Sequence, residues 1–343
     1  PGFAFVDDLD VGFNPCCLNK NSIIMTEGGP RLVKDLIGKK FSAIVDGVKY
    51  DLNTCFSIKT IVKELFILKT KEGFELELTA DHKTLTKNRG WVEAQNLCAA
   101  DKIIIHEHNN IEWEGFGNHN QGWLVGSLLG DGTYDSRSAY LEYWGEESEY
   151  MPELAISMIY DENLNTYQNI CGGNQSSSKS SNISKKRVGS VGLKNLADKV
   201  GIDRKKEISE KIYYASSNFV KGFLSGWFDA DGSVQGTAAK GISVRLTSNK
   251  LDNLKIAQRL LNNLGIYSKI YQERRSEGYR NMPNGCKGFE DYWCQTMHEL
   301  IIANDSIITF NNIVGFYNKE KSVKLLELIN SYKRTPNKTK RIA

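Results

Sequence analysis

The sequence has 343 residues, and its 44 Lys and Arg against 41 Asp and Glu give a formal charge of only +3. This length predicts about two domains of roughly 150 residues each, and such a weak charge excludes any inference of a nucleic-acid partner from overall basicity. The seven cysteines show no CxxC and no zinc-ligand spacing, which excludes a disulfide scaffold and predicts reduced thiols in a cytoplasmic protein.

No segment reaches the roughly 20 apolar residues of a membrane helix, and the first part of the chain reads as short strands. Residues 17–108 contain SIIMT, KFSAIV, ELFILKT, FELELTA and KIIIHE, separated by the turn signals EGGP, DG and KEG. From about residue 120 helical runs alternate with strands, which predicts a boundary near residues 108–119. An all-β block therefore precedes a mixed region.

The region from 120 to 328 contains the same order of elements twice: an apolar helix that ends in Asp-Gly, then strands, then an amphipathic helix. In the second copy GISVRLTS alternates apolar and polar residues, as a half-buried strand does, and leucines follow at helical spacing from Leu251 to Leu264. An internal repeat of this size predicts a pseudo-two-fold architecture in which these leucines are core residues.

Small residues form a stripe along each of the two apolar helices. They recur every four positions and at matching offsets, as Gly122, Gly126 and Gly130 in the first helix and Gly222, Gly226 and Ala230 in the second. Residues four apart share one face of a helix. Because a glycine inside a helix costs up to about 1 kcal/mol relative to alanine, the repetition predicts that the two helices pack backbone against backbone.

Each apolar helix ends in an aspartate, Asp131 or Asp231, followed by a glycine that favours the end of a helix. A carboxylate there faces the negative end of the helix dipole, at a cost of roughly 0.3–1 kcal/mol. A single Asp-Gly after a helix is most simply a turn. A matched pair at identical offsets instead predicts a divalent cation between the acids, because hard oxygen ligands suit Mg²⁺.

The segments LVGSLLGDG (124–132) and LSGWFDADG (224–232) resemble the two signature motifs of the LAGLIDADG homing endonucleases. The resemblance covers about residues 120–328. It implies a monomeric, single-chain αββαββα nuclease that cleaves double-stranded DNA with Mg²⁺ or Mn²⁺. The expected target is a host gene that lacks the inserted coding sequence, the intein-free host gene. It also implies that Asp131 and Asp231 are catalytic and that they form the metal site together with the residues before them, Gly130 and Ala230.

The same family places a basic residue near each acid. The segment RKKEIS resembles its KxIP element and assigns this role to Lys206, although Ser209 stands in place of the proline. In the second repeat, FNNIVGFYNKEKSVKL resembles the closing turn and assigns the role to Lys319. Lys205 and Lys321 remain alternatives, and a solvated surface charge is the competing interpretation of every one of these lysines.

DNA binding requires many phosphate contacts, because these supply most of the affinity. Basic side chains lie on or beside the predicted strands of both repeats, and we interpret the following as DNA-binding: Lys185, Lys186, Arg187, Arg245, Lys269, Arg274, Arg275 and Arg280. Base recognition is expected from the polar faces of the strands, where Arg and Gln suit the edges of guanine and adenine.

Two segments of the N-terminal block, CLNKNSIIMTEGGPRLVKDL and LTADHKTLTKNRGWVEAQNLCAADKI, resemble the first and third sequence blocks of intein splicing domains. The resemblance makes Cys17 the nucleophile of an N-to-S acyl shift, with Thr79 and His82 as the TxxH pair and His82 as proton donor to the departing amide. An ordinary buried thiol and a hydrogen-bonded core histidine are the competing interpretations of these residues.

Residues 1–16 resemble a segment of class II ribonucleotide reductases and are interpreted as host sequence that ends in the radical cysteine, Cys16. The chain lacks an initiating Met, and it ends without the His-Asn pair that releases an intein. We therefore expect a chain shortened at both ends, or a C-terminal intein fragment that acts as a partner. Residues 331–343 are expected to be a basic linker or a truncated end.

The predicted fold is multi-domain, with an all-β Hint splicing domain at residues 17–108 and an α+β endonuclease domain at residues 109–330. The leading hypothesis is an intein-borne homing endonuclease without a membrane association. One alternative is a DNA-binding module or RNA maturase that has lost cleavage, against which the retained pair of aspartates argues. Another is a chain whose main surviving activity is the N-terminal acyl transfer.

Overall fold

The computed structural model describes residues 18–52, 64–106, 108, 111–164, 171–172, 185–237, 241–283 and 288–331. Cys17, the host-like segment 1–16 and most of the basic C-terminal segment lie outside these residues. None of the described helices is both long enough and apolar enough to cross a membrane.

The N-terminal block consists of three small antiparallel sheets and one short helix. The first sheet has the strand order β2-β1-β3-β4, and the others are the hairpins β5-β6 and β7-β8. The bounds are β1 Ile23–Thr26, β2 Gly29–Leu32, α1 Val33–Leu36, β3 Phe41–Val45, β4 Val48–Leu52, β5 Leu65–Lys69, β6 Glu75–Thr79, β7 Lys83–Thr86 and β8 Gly90–Glu93. The predicted β-character of this block is confirmed.

One strand predicted in this block does not form. In the segment KIIIHE only Ile103 bridges to Thr86, and Ile104 N–H donates to the carbonyl of Leu85 at 3.0 Å. The chain then enters the protein interior. His106 is buried, and its Nε2 lies 3.1 Å from Nδ2 of Asn262. The apolar run at residues 103–105 therefore pairs only briefly with β7 before it becomes part of the buried interior.

The first repeat follows the order α-β-β-α-β-β-α. Its elements are α2 His119–Asp131, β9 Thr133–Tyr134, β10 Ala139–Trp144, α3 Met151–Asp161, β11 Cys171–Gly172, β12 Lys185–Ser190 and α4 Val191–Val200, with a 3-10 helix Gly145–Glu149 before α3. The four strands form one sheet in the order β11-β12-β10-β9.

The second repeat has the same order with one hairpin inserted. Its elements are α5 Ser217–Asp231, β13 Gly232–Thr237, β14 Gly241–Ser248, α6 Leu251–Asn263, β15 Ser268–Arg275, β16 Gly278–Pro283, β17 Phe289–Cys294, β18 Met297–Ala303, α7 Ser306–Ile313 and α8 Lys319–Ser331. The main sheet has the order β13-β14-β18-β15, which matches the first sheet, while β16 and β17 form a separate hairpin. The predicted pseudo-two-fold α+β repeat is confirmed.

The predicted close packing of the two apolar helices is also confirmed. A Cβ atom added to Gly122 or Gly126 of α2 would overlap a backbone carbonyl of α5, and one added to Gly222 or Gly226 of α5 would overlap a carbonyl of α2. The glycines at the helix ends differ from expectation, since Gly132 and Gly232 have φ −77° and −79° and are extended rather than left-handed. These helices therefore require glycine for the close approach of their backbones, and not for a left-handed conformation at their ends.

The N-terminal block has two small apolar clusters of its own, and it also contributes residues to the core of the repeats. Ile23, Met25 and Leu32 belong to the same apolar cluster as the buried faces of α2 and α5. Trp113 packs against Gly29, and its indole N–H donates to the carbonyl of Ala215 at 2.8 Å. The predicted independent β-domain is thus present as small sheets that share a core with the repeats.

Candidate active site

The helix pair brings the two predicted acids together at one end. A Cβ atom added to Gly130 would overlap the Cβ of Ala230 and would lie 3.4 Å from Oδ2 of Asp231. Partial burial of the carboxyl group raises the pKa of Asp231 to about 6, and the negative charge of Asp131 also raises it. Burial also raises the pKa of Asp131, against the opposing charges of Lys321 and Lys206. Both residues remain partly open to solvent.

The carboxylate of Asp231 has a fixed orientation. The indole N–H of Trp227, one helical turn earlier, donates to Asp231 Oδ2 at 3.0 Å. The residue at the matching position of α2 is Ser127, whose hydroxyl lies 3.5 Å from the carbonyl of Gly226 instead. The sequence contained this difference, but the spacing of acids and glycines gave no reason to notice it.

Lys206 lies where the resemblance placed it. Its ammonium group donates to the carbonyl oxygen of Gly130, at the end of α2. Burial lowers its pKa, and the charges of Asp231 and Asp131 oppose this shift. The alternative residue, Lys205, is exposed, and its backbone carbonyl accepts a hydrogen bond from Lys250. Among the two candidates, Lys206 is the one beside the acids.

In the second repeat the structure favours Lys321 over Lys319. The ammonium group of Lys321 donates to the carbonyls of Ala230 at 3.2 Å and of Asp229. Burial lowers its pKa, while nearby carboxylates, first Asp229 and then Glu147, oppose the shift. Lys319 is exposed, and its ammonium group lies 4.4 Å from the ring centroid of Tyr150. The structure therefore places Lys321, the alternative left open above, and not Lys319 at the end of α5, and its role in the site stays a prediction.

The two site lysines occupy matching places in the repeats. Lys206 lies 15 positions after Val191, the first residue of α4, and Lys321 lies 15 positions after Ser306, the first residue of α7. Each ammonium group binds the carbonyl at the end of the apolar helix in its own repeat. The sequence numbering could have identified Lys321 if the first residues of α4 and α7 had been known.

The residues around the helix ends suit a small divalent cation. The carbonyl oxygens of Gly130 and Ala230 already attract the two ammonium groups, so the local field favours positive charge. No cluster of three or more His, Cys, Asp and Glu residues that could hold a metal occurs in the described part of the chain. Mg²⁺ needs no such cluster, because it keeps several waters and uses one or two carboxylates together with substrate phosphates.

A third aspartate, which the sequence analysis did not identify, supports the second half of the site. Asp229 is buried, and it accepts hydrogen bonds from Trp123 Nε1 at 2.8 Å and from the backbone N–H groups of Asn318 at 2.9 Å and Tyr317 at 3.2 Å. Burial raises its pKa to about 6, against these hydrogen bonds. Leu129 occupies the matching position in α2, so this support exists in one repeat only.

The predicted DNA-binding residues of the first sheet are not all on one face. Lys185 and Arg187 of β12 form ion pairs with Glu142 of β10 at 2.9 and 3.3 Å. Lys186 lies between them, opposite the buried Tyr143 in the strand register. Successive side chains of a strand point to opposite faces, so Lys186 is separated from the other two.

In the second sheet an acid again neutralises part of the predicted basic surface. Glu299 of β18 lies 3.3 Å from Arg245 and 3.5 Å from Arg274. The ammonium group of Lys269 lies 5.0 Å from the ring centroid of Tyr271. Arg275 is exposed at the end of β15, and Arg280 is half-buried on the inserted hairpin, where it donates to the carbonyl of Ser276.

The predicted splicing residues of the N-terminal block lie in and beside one short turn. Thr79 ends β6, and its carbonyl accepts the backbone N–H of His82 at 3.1 Å. Both side chains are buried, and burial lowers the pKa of His82 against the charge of Asp81. Cys17 is outside the described residues, but Leu18 bridges to Leu78, the neighbour of Thr79.

The second repeat is related in sequence to a known domain. Residues 218–315 match the family model of the LAGLIDADG-like domain. The match runs from α5 to the end of α7 and includes Asp231, so the α+β fold is of LAGLIDADG type.

Several characterised proteins are similar to the chain. The Ribonucleoside-diphosphate reductase NrdEB subunit alpha of Bacillus subtilis (strain 168) is 24% identical over 357 residues, which cover 95% of this chain and 32% of the relative. The chain thus spans about a third of the length of this relative. A DNA polymerase of Thermococcus litoralis is 28% identical over 215 residues, which cover 61% of this chain and 11% of the relative.

A solved structure of a homing endonuclease also aligns with the chain. The homing endonuclease I-WcaI bound to its DNA recognition sequence has 17% sequence identity and a TM-score of 0.42, over 62% of this chain and 88% of that structure.

Proposed function

We propose that the chain is a divalent-metal-dependent endonuclease of LAGLIDADG type that cuts both strands of DNA. The observation that carries this proposal is the pair of aspartates at the ends of two closely packed helices, each with a lysine at its own helix end. The match of residues 218–315 to the LAGLIDADG-like domain supports it. The homing endonuclease I-WcaI, which is similar in fold, is described as bound to DNA.

The site residues divide into metal ligands and positively charged residues. Asp131 and Asp231, with the carbonyl oxygens of Gly130 and Ala230, would hold Mg²⁺ or Mn²⁺. A bound cation would supply an activated water and stabilise the leaving oxygen. Lys206 and Lys321 carry positive charge toward the position of the scissile phosphates and would stabilise the charge that develops there.

The two four-stranded sheets would bind the DNA backbone and grooves. The residues proposed for phosphate contacts are the exposed or half-buried basic ones of both sheets, in particular Arg187, Arg245, Lys269, Arg274 and Arg275. Arg187, Arg245 and Arg274 contact carboxylates in the free protein. Binding to phosphates would replace these ion pairs, so the affinity is expected to depend steeply on salt.

We further propose that the nuclease is carried, as a monomeric cytoplasmic protein, in an intein of a ribonucleotide reductase host. The similarity to a ribonucleoside-diphosphate reductase subunit along 95% of the chain supports this idea. The Cys17 thiol would lose its proton, and its sulfur would attack the carbonyl carbon of Cys16 and form a thioester while the amide C–N bond breaks. His82 would donate one proton to the leaving nitrogen, which balances the proton lost by the thiol. The bridge from Leu18 to Leu78 brings the chain close to Thr79 and His82. A C-terminal intein fragment would supply the later steps.

The nuclease proposal is tested with a plasmid that carries the host reductase gene without the insertion. The chain is incubated with this DNA in Mg²⁺, in Mn²⁺ and in a chelator, and a plasmid without the gene is the control. We expect one double-strand cut in the host gene, in the two metals only. An intact plasmid in both metals would contradict the proposal, and cutting that persists in the chelator would contradict the metal assignment.

The splicing proposal has a separate test. Excess thiol or hydroxylamine should slowly release residues 1–16 by trapping the thioester at Cys17. Cys17→Ala should abolish the release, and mass spectrometry identifies the peptide. Release of the same peptide from the Ala variant would exclude Cys17 as the nucleophile without affecting the nuclease proposal.

A further inference from the structure

Each site lysine depends for its position on a side chain that belongs to the other repeat. Lys206 lies in the turn between α4 and α5, and Lys321 lies in the first turn of α8. A long side chain on a turn is directed only as well as the turn itself is held. The contacts of these two turns therefore decide how well the lysines are oriented.

The turn of Lys206 is held by Asn253 of α6. Lys206 has φ +58°, a left-handed conformation that L residues rarely adopt and that needs support from its surroundings. The side-chain amide of Asn253 donates to the carbonyl of Lys206 at 2.6 Å, and its Oδ1 accepts the N–H of Ile208 at 3.1 Å. Asn253 is 4% exposed. A buried amide of the second repeat thus binds the backbone directly after Lys206, on both sides of Glu207.

The turn of Lys321 is held by Asn318, and Asn318 is held by the first repeat. Asn318 Oδ1 accepts the backbone N–H of Lys321 at 3.1 Å and caps α8. Asn318 Nδ2 donates to Glu147 Oε2 at 3.1 Å, and the other oxygen of Glu147 accepts the N–H of Trp144 at 3.2 Å. Asn318 is 5% exposed, so the loss of either partner would leave a buried polar group unpaired.

The two supports are related by the pseudo-two-fold symmetry, although their chemistry differs. Glu147 follows β10 and Asn253 follows β14, which occupy matching positions in the two sheets. Both therefore come from the segment that enters the middle helix of a repeat. In the first half-site the Asn253 amide binds the turn directly, and in the second the Glu147 carboxylate acts through Asn318.

We propose that Asn253 and Glu147 are reciprocal positioning residues: Asn253 acts directly on the turn of Lys206, and Glu147 acts through Asn318 on the cap of Lys321. Each turn also has a contact from its own repeat, since Asp203 accepts the N–H of Glu207 at 2.9 Å and Asp229 accepts the N–H of Asn318 at 2.9 Å. The contacts that cross between the repeats complete this support, so both lysines are fully held only when the two repeats are docked. The inference rests on the proposed role of Lys206 and Lys321 in cleavage.

The first test needs neither DNA nor metal. Hydrogen–deuterium exchange is measured by mass spectrometry on the full chain and on Asn253→Ala and Asn318→Ala. We expect faster exchange at 203–209 in Asn253→Ala and at 317–322 in Asn318→Ala, with the other turn unchanged. Asn249→Ala, a substitution of an exposed asparagine just before α6, is the matched control. Exchange that rises at both turns in each variant, or at neither, overturns the proposal.

A second variant separates the link to Glu147 from simple helix capping. Glu147→Ala leaves the Asn318 cap on the N–H of Lys321 in place but removes the acceptor for Asn318 Nδ2. We expect faster exchange at 317–322 in this variant as well. Exchange equal to that of the unsubstituted chain would show that capping alone holds the turn, and it would overturn the reciprocal arrangement. Asn253→Ser provides the milder variant of the first support if Asn253→Ala fails to fold.

The third test uses cleavage of the two DNA strands, each labelled separately. Lys206→Ala and Lys321→Ala define which strand depends on which lysine. Asn253→Ala should then slow the strand of Lys206 by at least about tenfold and the other by less than about twofold, and Asn318→Ala should do the reverse. Equal slowing of both strands contradicts the proposal. If the unsubstituted chain cuts no DNA, the proposed function fails while the exchange result still decides the positioning.

Discussion

The two half-sites contain the same reactive groups, but different neighbours hold them in place. Each has an aspartate at the end of an apolar helix and a lysine whose ammonium group binds the carbonyl there. In the second repeat Trp227 orients the carboxylate of Asp231 and Asp229 binds the turn before α8, whereas α2 has Ser127 and Leu129 at those positions. The comparison teaches that the repeats preserve the geometry of the reactive groups and not the residues that maintain it.

The sheets show the same relation between the repeats. Glu142 lies on β10 and pairs with Arg187 of β12, while Glu299 lies on β18, the strand that matches β12, and contacts Arg245 of β14. An acid therefore lies in the centre of each sheet, but on opposite strands. The predicted DNA-binding surfaces of the two repeats therefore differ in their charge pattern.

Removal of both aspartates should have the largest effect on cleavage. Asp131→Asn combined with Asp231→Asn should abolish cleavage, because the site loses both of its carboxylate ligands. Each single variant should leave mainly a nick if the two acids serve separate strands, which gels of a supercoiled plasmid distinguish. Equal loss of both cuts in a single variant would indicate one shared metal. DNA binding measured in the absence of metal is the control for correct folding.

Replacement of the lysines should have the next largest effect. Lys321→Ala should reduce the cleavage rate by about 10²-fold or more, as expected when a group that stabilises developing charge is removed. Lys319→Ala, two residues earlier and exposed, is the matched control and should change the rate by less than about threefold. The rates are measured in single turnover. A larger loss in Lys319→Ala would restore the original assignment.

The contact between Gly130 and Ala230 allows a size-swap test. Gly130→Ala should destabilise the protein by about 1–3 kcal/mol, because the new methyl group overlaps Ala230 between the closely packed helices. It should also slow cleavage by moving Asp131 away from Asp231. Adding Ala230→Gly should restore much of both properties, as measured by urea unfolding and single-turnover cleavage. A double variant no better than the single one would argue against direct contact at this position.

The smallest expected effect is a change in the pH dependence of stability. The folded-state pKa of Asp231 is raised to about 6 from its usual value near 4, so the folded protein holds this proton more tightly than the unfolded chain. Stability is therefore lost as pH rises from about 4 to 6. Without metal, Asp231→Asn should raise the melting temperature at pH 7, and this advantage should vanish near pH 4. An advantage that is equal at both pH values would contradict the shift.

The sequence was sufficient to predict the helix pair and its acids, because the necessary signal is local spacing. Gly122 and Gly126 repeat at a helical interval, and Asp131 and Asp231 follow at equal offsets. It could not distinguish Lys319 from Lys321. The two lysines are separated by two positions in a polar segment, and only the start of α8, capped by Asn318, decides which of them points toward Ala230.

The supporting residues could not be predicted because their partners are distant in the chain. Asn253 lies 47 positions from Lys206, and Glu147 lies 171 positions from Asn318. No periodicity or motif connects such segments, and only the packing of the two repeats brings them together. Lys186 shows the opposite limitation, since its assignment to the DNA surface ignored the alternation that turns every second side chain of β12 away.

The contact between the N-terminal block and β15 affects how the two repeats would behave as an isolated fragment. The carbonyl of Glu72, in the turn of the β5-β6 hairpin, accepts the N–H of Ile270 at 2.9 Å, and Lys255 pairs with Glu75 at 2.8 Å. Among the described strands β15 forms the edge of its sheet. A fragment cut near residue 110 would expose this edge, together with the Trp113 side chain that now packs against Gly29. Unpaired edges recruit other strands, so such a fragment is expected to aggregate, and the small β-sheets keep the two repeats soluble by covering this edge.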